Sequence, residues 1–112
     1  MKYLFLDDER IPADVTWVPG FDPNLPWHIV RSYDEAVSYV EQNGIPDVVS
    51  FDHDLGSDYT GLAFAVWLAS HDLDYHTMPD DFSYMVHSMN PVGKANIIGT
   101  LESYLNFRKN TK

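Results

Sequence analysis

The 112-residue sequence has no cysteine and no long apolar run. Without cysteine, disulfides and thiolate metal sites are excluded together. A membrane-spanning helix needs about 18 consecutive apolar residues, and no stretch of the sequence reaches that length. Met1 and Lys2 lead directly into a predicted strand, which leaves no room for a signal peptide. These absences predict an intracellular, cytoplasmic protein without a membrane partner.

Basic residues are also scarce. Seven lysines and arginines stand against seventeen acidic residues, which gives a formal net charge of −10. Because this charge repels the nucleic-acid backbone and anionic lipids, general binding to either is not expected. A phosphate-containing small molecule or a nucleic-acid end remains a compatible partner, provided that metal ions reverse the local field. Solubility is the alternative reason for the acidity outside the clusters described below.

Short apolar runs alternate with helical patterns along a chain that is predicted to be one domain over residues 1–112. Strands are predicted over residues 2–7, 27–32, 47–52 and 82–88. Helices are predicted from Ser32 or Asp34 to Gly44, from Ser57 or Asp58 through Ala69, and from Asn90–Pro91 to a tail that frays from Lys109. Residues 11–26, which are rich in proline, and residues 70–81 are predicted loops. The alternation favours an α/β sandwich with a mostly parallel sheet.

Acidic residues directly follow two of the predicted strands. Asp7 and Asp8 follow the first strand, and Asp52 and Asp54 follow the third. If these strands are neighbours at about 4.8 Å, their carboxylates crowd one edge of the sheet, where ligand sites of parallel sheets lie. Like charges this close raise one another's pKa or require a cation. The sequence therefore predicts a divalent-metal site, with Mg²⁺ preferred and Mn²⁺ as the alternative.

A second polar group follows the fourth predicted strand. Ser88, Asn90 and the free backbone N–H groups that open the last helix form a predicted anion site, although Asn90 also suits an N-cap. His87 has an ordinary pKa near neutrality and suits a general acid. His53 and His87 are alternatively ligands for a transition metal. Strand alternation points His53 away from Asp52, which favours a packing role unless the chain turns there.

Three motifs carry a family resemblance. Leu-Asp-Asp-Glu-Arg-x-Pro (6–12), Phe-Asp-His-Asp-Leu-Gly (51–56) and Val-His-Ser-x-Asn-Pro-x-Gly (86–93) resemble the divergent receiver family proposed to process cyclic phosphates. The resemblance to response-regulator receivers implies that Asp7 and Asp8 hold Mg²⁺, that Asp52 occupies the phosphoacceptor position, and that Ser88 contacts the phosphoryl group.

The resemblance also implies a receiver-like, flavodoxin-like three-layer sandwich with about four strands in the order 2-1-3-4. Right-handed crossovers are expected to put the helix after the second strand on the opposite face from the later two. Two departures from receivers are evident. The first crossover helix is replaced by the proline-rich loop, and the fifth strand with its terminal lysine is missing.

These features predict a metal-dependent phosphoesterase, or hydrolase, that acts on a cyclic nucleotide, an RNA 2′,3′-cyclic end or a small cyclic phosphodiester. The predicted site is as follows: His87, Ser88, His53 and Asp52 are catalytic; Ser88, Asn90 and Arg10 bind phosphate; Asp7, Asp8, Asp52 and Asp54 hold the metal. One alternative is a receiver-like domain phosphorylated on Asp52, against which the missing lysine argues. The other is a non-catalytic phosphate- or nucleotide-binding or protein-interaction module.

Overall fold

A parallel sheet of four short strands forms the centre of the computed structural model, which describes residues 1–56 and 59–110. The strands are β1 (Tyr3–Leu6), β2 (Trp27–Val30), β3 (Val48–Phe51) and β4 (Ser83–Val86). Their order in the sheet is β2-β1-β3-β4, which confirms the predicted order. Leu6 is in register with Val30 and Phe51, and Phe51 is in register with Val86. All four carboxyl ends therefore lie level at one edge.

Three helices connect or follow the strands: α1 (Tyr33–Asn43), α2 (Gly61–Tyr75) and α3 (Pro91–Asn110). The Ser32 hydroxyl caps α1 by accepting the N–H of Glu35, and Gly44 ends it with a φ of 86°. Both ends of α1 are thus where the sequence predicts them. Loop 11–26 contains one turn of 3₁₀ helix at Pro12–Asp14 and is otherwise irregular within the described chain. No helix among the described residues is long and apolar enough to cross a bilayer.

Several predicted boundaries need correction. The predicted start of α2 at Ser57 or Asp58 falls outside the described residues, and the helix begins at Gly61 with Thr60 as its cap. The prediction of a loop over residues 70–81 is wrong up to Tyr75, because the polar residues there include neither glycine nor proline and α2 continues through them. At the other end of the chain, α3 includes Lys109 and Asn110 rather than fraying before them.

All three helices pack on one face of the sheet. Leu4, Phe51 and Val86 point to this face and belong to one core that also contains residues of every helix: Ala36, Val40, Phe64, Ala65, Leu68, Ile97 and Leu101. The expectation that α1 lies opposite α2 and α3 is therefore wrong. The crossovers from β2 to β3 and from β3 to β4 run in the same direction across the sheet, so right-handed connections place both helices on the same side.

The proline-rich loop 11–26 forms the third layer. Phe5 points to the face that carries no helix, and its ring lies 6.1 Å from that of Phe21 in the loop. Phe21 in turn stacks on Trp27 of β2, with ring centroids 5.3 Å apart. The loop thus covers the side of β1 and β2 where the first crossover helix of a receiver would pack.

Candidate functional site

A cavity of about 310 Å³ lies at the carboxyl edge of the sheet. Its walls come from the segments that follow β1, β3 and β4, since parallel strands bring their ends together. The lining residues are Asp7, Asp8, Glu9, Arg10, Asp52, Asp54, Gly56, Ser88, Met89 and Asn90. Every residue predicted for the site is in this set except His53 and His87.

Asp7 is the most thoroughly held carboxylate of the cavity. Its side chain is 1% exposed, and its Oδ1 accepts the backbone N–H groups of Glu9 and Arg10, both at 2.8 Å. Its Oδ2 lies 3.0 Å from Nε2 of His87. Burial raises the pKa of Asp7, but hydrogen bonds from His87 and from the two backbone groups outweigh it and lower the pKa to about 2. Asp7 is therefore ionised at neutral pH.

His87 lies directly beneath the cavity rather than in its wall. The ring is fully buried and stacks on Phe5, with centroids 4.5 Å apart and planes inclined by 5°. Its Nδ1 lies 2.7 Å from the hydroxyl of Ser50. Because ionised Asp7 can only accept, Nε2 carries a proton and donates it to Asp7, while Nδ1 shares a hydrogen bond with the Ser50 hydroxyl. This geometry does not fit direct protonation of a leaving group by His87, since both ring nitrogens already have partners in the core.

Asp52 is the second buried carboxylate, at 5% exposure. Its Oδ1 accepts the N–H of His53 at 2.9 Å. Burial, and then the charge of Asp7, raise the pKa of Asp52. Asp7, Asp52 and His87 each offer a ligand atom within 4.8 Å of the others, so this buried cluster could hold a metal ion. Because both ring nitrogens of His87 are hydrogen-bonded, the two hard carboxylate oxygens are the ligands at hand, and their repulsion fits a divalent cation.

Asp8 and Asp54 stand at the rim of the same cavity. Asp8 is half-buried beside Gly56, whose φ of 66° suits glycine and whose absent side chain leaves room for the carboxylate. Asp54 has a side chain that is 69% exposed, and it accepts from His53 at 3.1 Å and from Asn90 at 3.5 Å. Both line the cavity outside the buried cluster, and their role as ligands stays a prediction.

Two close approaches involving glycine fix the segment after β3. A Cβ on Gly61 would lie 1.7 Å from the carbonyl oxygen of Asp52, and one on Gly93 would lie 2.3 Å from the His53 ring. The N–H of Gly61 also donates to the carbonyl of His53 at 2.9 Å. His53 thus packs against α3, as strand alternation suggests, and it does not line the cavity.

The phosphate-binding residues predicted from the sequence line the same cavity. Ser88 Oγ accepts the N–H of Asn90 at 3.1 Å, and Asn90 Oδ1 accepts the N–H of Gly93 at 3.0 Å. Asn90 therefore acts as an N-cap of α3 while it lines the cavity. Arg10 lies 3.7 Å from the Asp7 carboxylate, its guanidinium carbon lies 5.1 Å above the ring of Trp17, and its Nη2 lies 3.9 Å from Sδ of Met89.

Sequence reasoning misses three residues that hold these groups. Ser50 is the partner of His87, and a serine within the apolar run of β3 is the signal that marks it. Arg31 donates from Nη1 to the carbonyl oxygens of Asp7, at 3.2 Å, and Arg10, at 2.7 Å. Its position directly after β2 places it at the same edge as the acids. Trp17 donates from Nε1 to the carbonyl of His87 at 3.0 Å, which no pattern in the loop indicates.

A parallel sheet with acids after β1 and β3 and a hydroxyl after β4 defines a receiver-like domain. The model of the cyclic-phosphate processing receiver domain family matches residues 2–103, and the chain belongs to this family. The resemblance predicted from the three motifs is thus confirmed. The family ties the chain to cyclic-phosphate processing.

No curated protein matches the sequence. Among solved structures, a fusion carrying the trimeric coiled coil of yeast Spc42 is 16% identical with a TM-score of 0.48, over 98% of this chain and 78% of the other. NtrX from Brucella abortus is 16% identical with a TM-score of 0.47, over 98% of this chain and 28% of the NtrX chain. The assignment of the fold rests on the family match and the sheet topology rather than on these distant likenesses.

Proposed function

We propose that the domain is a metal-dependent phosphoesterase that hydrolyses a cyclic phosphodiester in the carboxylate-lined cavity. The observation that carries the proposal is the pair Asp7 and Asp52. Both carboxylates are buried, and the charge of Asp7 contributes to the raised pKa of Asp52. Ser88 and Asn90 line the same cavity from the end of β4 and the start of α3. A cation site and an anion site thus share one space of small-molecule size.

Asp7 and Asp52 would hold the cation, with Asp8 and Asp54 at the rim as further oxygen ligands. The oxygen donors suit Mg²⁺ or Mn²⁺ better than a softer metal. When bound, such an ion polarises a phosphoryl oxygen and eases deprotonation of water.

The chain's own residues bind and orient the phosphate. Ser88 and Asn90 offer hydroxyl and amide donors, and α3 begins at Pro91, which adds the partial positive charge of a helix N-terminus. Arg10 lines the same cavity with a guanidinium that can pair with two phosphate oxygens. Water attacks phosphorus and releases one proton to solvent, the bond to one ring oxygen breaks, and that oxygen takes up a proton from solvent at the cavity mouth.

His87 serves this reaction by positioning rather than by proton transfer. Its hydrogen bond fixes one oxygen of Asp7 and supports the ionised form, while Ser50 fixes the orientation of the ring. The general-acid role predicted from the sequence would require the ring to leave its stack on Phe5. Positioning through Asp7 needs no such movement.

The test is a screen of 2′,3′-cyclic nucleotides, 3′,5′-cyclic nucleotides and small cyclic phosphodiesters with Mg²⁺ or Mn²⁺, and with a chelator as control. Hydrolysis that depends on metal and disappears in Asp52→Asn is the expected result. Tight binding of a cyclic phosphate without turnover by any divalent metal would make the domain a sensor. The absence of both binding and turnover would refute the proposal.

Phosphoacceptor signalling is the second candidate, because Asp52 follows β3 in the same cavity as Ser88. None of the described lysines lines this cavity, so a phosphorylated Asp52 would lack the lysine that couples phosphorylation to conformation in receivers. Hydrolysis is therefore the favoured function.

A further inference from the structure

A second cavity, of about 500 Å³, lies in the groove between α1 and α2. Glu41 contributes from the last turn of α1, and the remaining lining residues come from the second half of α2: Trp67, Ser70, His71, Asp74 and Tyr75. Both helices end here, before the chain returns to begin the next strand. The groove therefore lies toward the amino edge of the sheet, away from the carboxylate-lined cavity.

Aromatic rings form a ladder along this groove. Trp67, His71 and Tyr75 follow one another at helical spacing, and the His71 ring lies 4.7 Å from each of the other two. Trp67 also stacks on buried Phe64, with centroids 6.1 Å apart and planes 13° from parallel, which anchors the ladder in the core. Tyr75 at the outer end is 66% exposed. Because Trp67 and His71 each lie between two neighbouring rings, Tyr75 at the exposed end of the ladder is the ring that offers a face to a ligand.

Two carboxylates flank the ladder without partners. Within residues 1–56 and 59–110, neither Glu41 nor Asp74 makes an ion pair or a side-chain hydrogen bond, and both are exposed. Among the residues that the structure describes, no lysine or arginine lines the groove. Carboxylates beside aromatic faces provide the combination that attracts a cation: Coulomb attraction from the acids and quadrupole attraction from the rings. The formal charge of −10 on the chain adds to this attraction.

We propose that this groove binds an arginine side chain of a partner protein. A guanidinium is planar and stacks on an aromatic ring while it donates hydrogen bonds in its plane, which suits the exposed ring of Tyr75 in a groove that also holds Glu41 and Asp74. A lysine ammonium would use the carboxylates but would gain less from the rings. The groove and the carboxylate-lined cavity involve different residues, so the two sites need not depend on each other.

The experiment uses the full chain and a short peptide with two arginines separated by glycines. Nitrogen–proton NMR spectra follow the titration, and matched peptides carry citrulline or lysine in place of arginine. We expect shifts at Glu41, at residues 70–75 and at the indole N–H of Trp67. The citrulline peptide, which has the same shape without the charge, should cause no shifts there.

Two double variants that change the net charge equally give the control. Glu41→Gln/Asp74→Asn should weaken binding of the arginine peptide by about five-fold or more, since it removes both flanking charges. Asp34→Asn/Asp81→Asn alters exposed acids outside the groove and should leave affinity within about two-fold. Asp34 lies about 10 Å from Glu41 along α1. Tyr75→Ala should weaken binding by about three-fold through loss of the outermost ring.

Equal weakening by both double variants would overturn the proposal, because it would show only a response to net charge. Equal affinity for the arginine peptide and either the lysine or the citrulline peptide, or shifts confined to other surfaces, would also overturn it. Shifts at the groove residues that depend on protein concentration and are unaffected by peptide would assign the groove to a second copy of the chain instead.

Discussion

Nε2 of His87 lies 3.0 Å from Oδ2 of Asp7, in a contact from which solvent is excluded on both sides. The two residues come from the ends of β4 and β1, strands that are separated by β3 in the sheet. β3 supplies Ser50, which holds the other nitrogen of the ring. The orientation of Asp7 in the cavity therefore depends on all three strands at once.

This contact yields a prediction that separates two roles for His87. His87→Ala should lower metal affinity and turnover together, each by about ten-fold or more, because Asp7 loses the group that orients it. Calorimetry with Mg²⁺ or Mn²⁺ and turnover of the best substrate measure the two effects. An unchanged metal affinity with turnover reduced about 10²–10⁴-fold would restore the general-acid role. Ser50→Ala should lower metal affinity and turnover together, but by less. Ser50→Thr, which keeps the hydroxyl, should leave both near the wild-type values.

Removal of the charge on Asp52 should stabilise the metal-free protein. The raised pKa of Asp52 means that its ionised form is disfavoured in the fold, by burial and then by Asp7. Asp52→Asn should therefore raise the Tm at neutral pH by roughly 2–5 °C and abolish the further rise caused by Mg²⁺ or Mn²⁺. Asp81→Asn, which removes an exposed charge elsewhere, is the control. A wild-type Tm that does not respond to divalent metal would count against the site.

Asp7 has the opposite dependence on pH. Its pKa falls from 3.8 to about 2 on folding, so its ionised form stabilises the fold above about pH 4. This contribution, on the order of 2 kcal/mol, should disappear as the pH falls from 4 to 2. Urea unfolding across this range measures it, and carbon-detected NMR titration assigns it to the residue. A carboxyl of Asp7 that titrates near its ordinary value would show that the hydrogen bonds do not support the ionised form.

The close contact of His53 with α3 predicts different effects for two glycines in one helix. Gly93→Ala should destabilise the protein by about 1–3 kcal/mol, because the new methyl group would overlap the His53 ring. Gly99→Ala meets nothing within 4 Å and should stabilise by about 0.5–1 kcal/mol through helix propensity. Chemical denaturation of both variants is the measurement. Equal effects would mean that the His53 ring does not occupy this contact.

Incubation with acetyl phosphate and Mg²⁺ tests the signalling alternative. Because no described lysine lines the cavity, we expect no long-lived phosphate on Asp52 and no associated conformational change. Intact-mass measurement and peptide mapping detect the modification, and Asp52→Asn is the control. Stable phosphorylation at Asp52 would place signalling above hydrolysis.

The sequence was sufficient for the parts of the site that depend on sheet topology. Asp7, Asp52 and Ser88 each follow an apolar strand, and parallel strands bring such positions to one edge. The roles of His53 and His87 depended on which way their side chains point beyond the strand ends, and that is set by contacts with Gly93 and Phe5. The sequence does not predict that α2 continues to Tyr75, because the second half of the helix is polar. One of its polar residues, Asp72, is buried and hydrogen-bonded to Tyr104, which the pattern does not indicate.

The helices on one face and the loop on the other give the sheet two sides that differ in local stability. On the helical side, amides are protected by regular hydrogen bonds over a continuous core. On the loop side, residues 11–26 have few backbone hydrogen bonds to shield Phe5 and His87. Partial unfolding should therefore begin at the loop, and amide exchange of β1 and β2 should outpace exchange in α2. In such an opened state Trp17 leaves the carbonyl of His87 and the Arg10 guanidinium while the helices stay packed, so phosphate binding would weaken before the fold is lost.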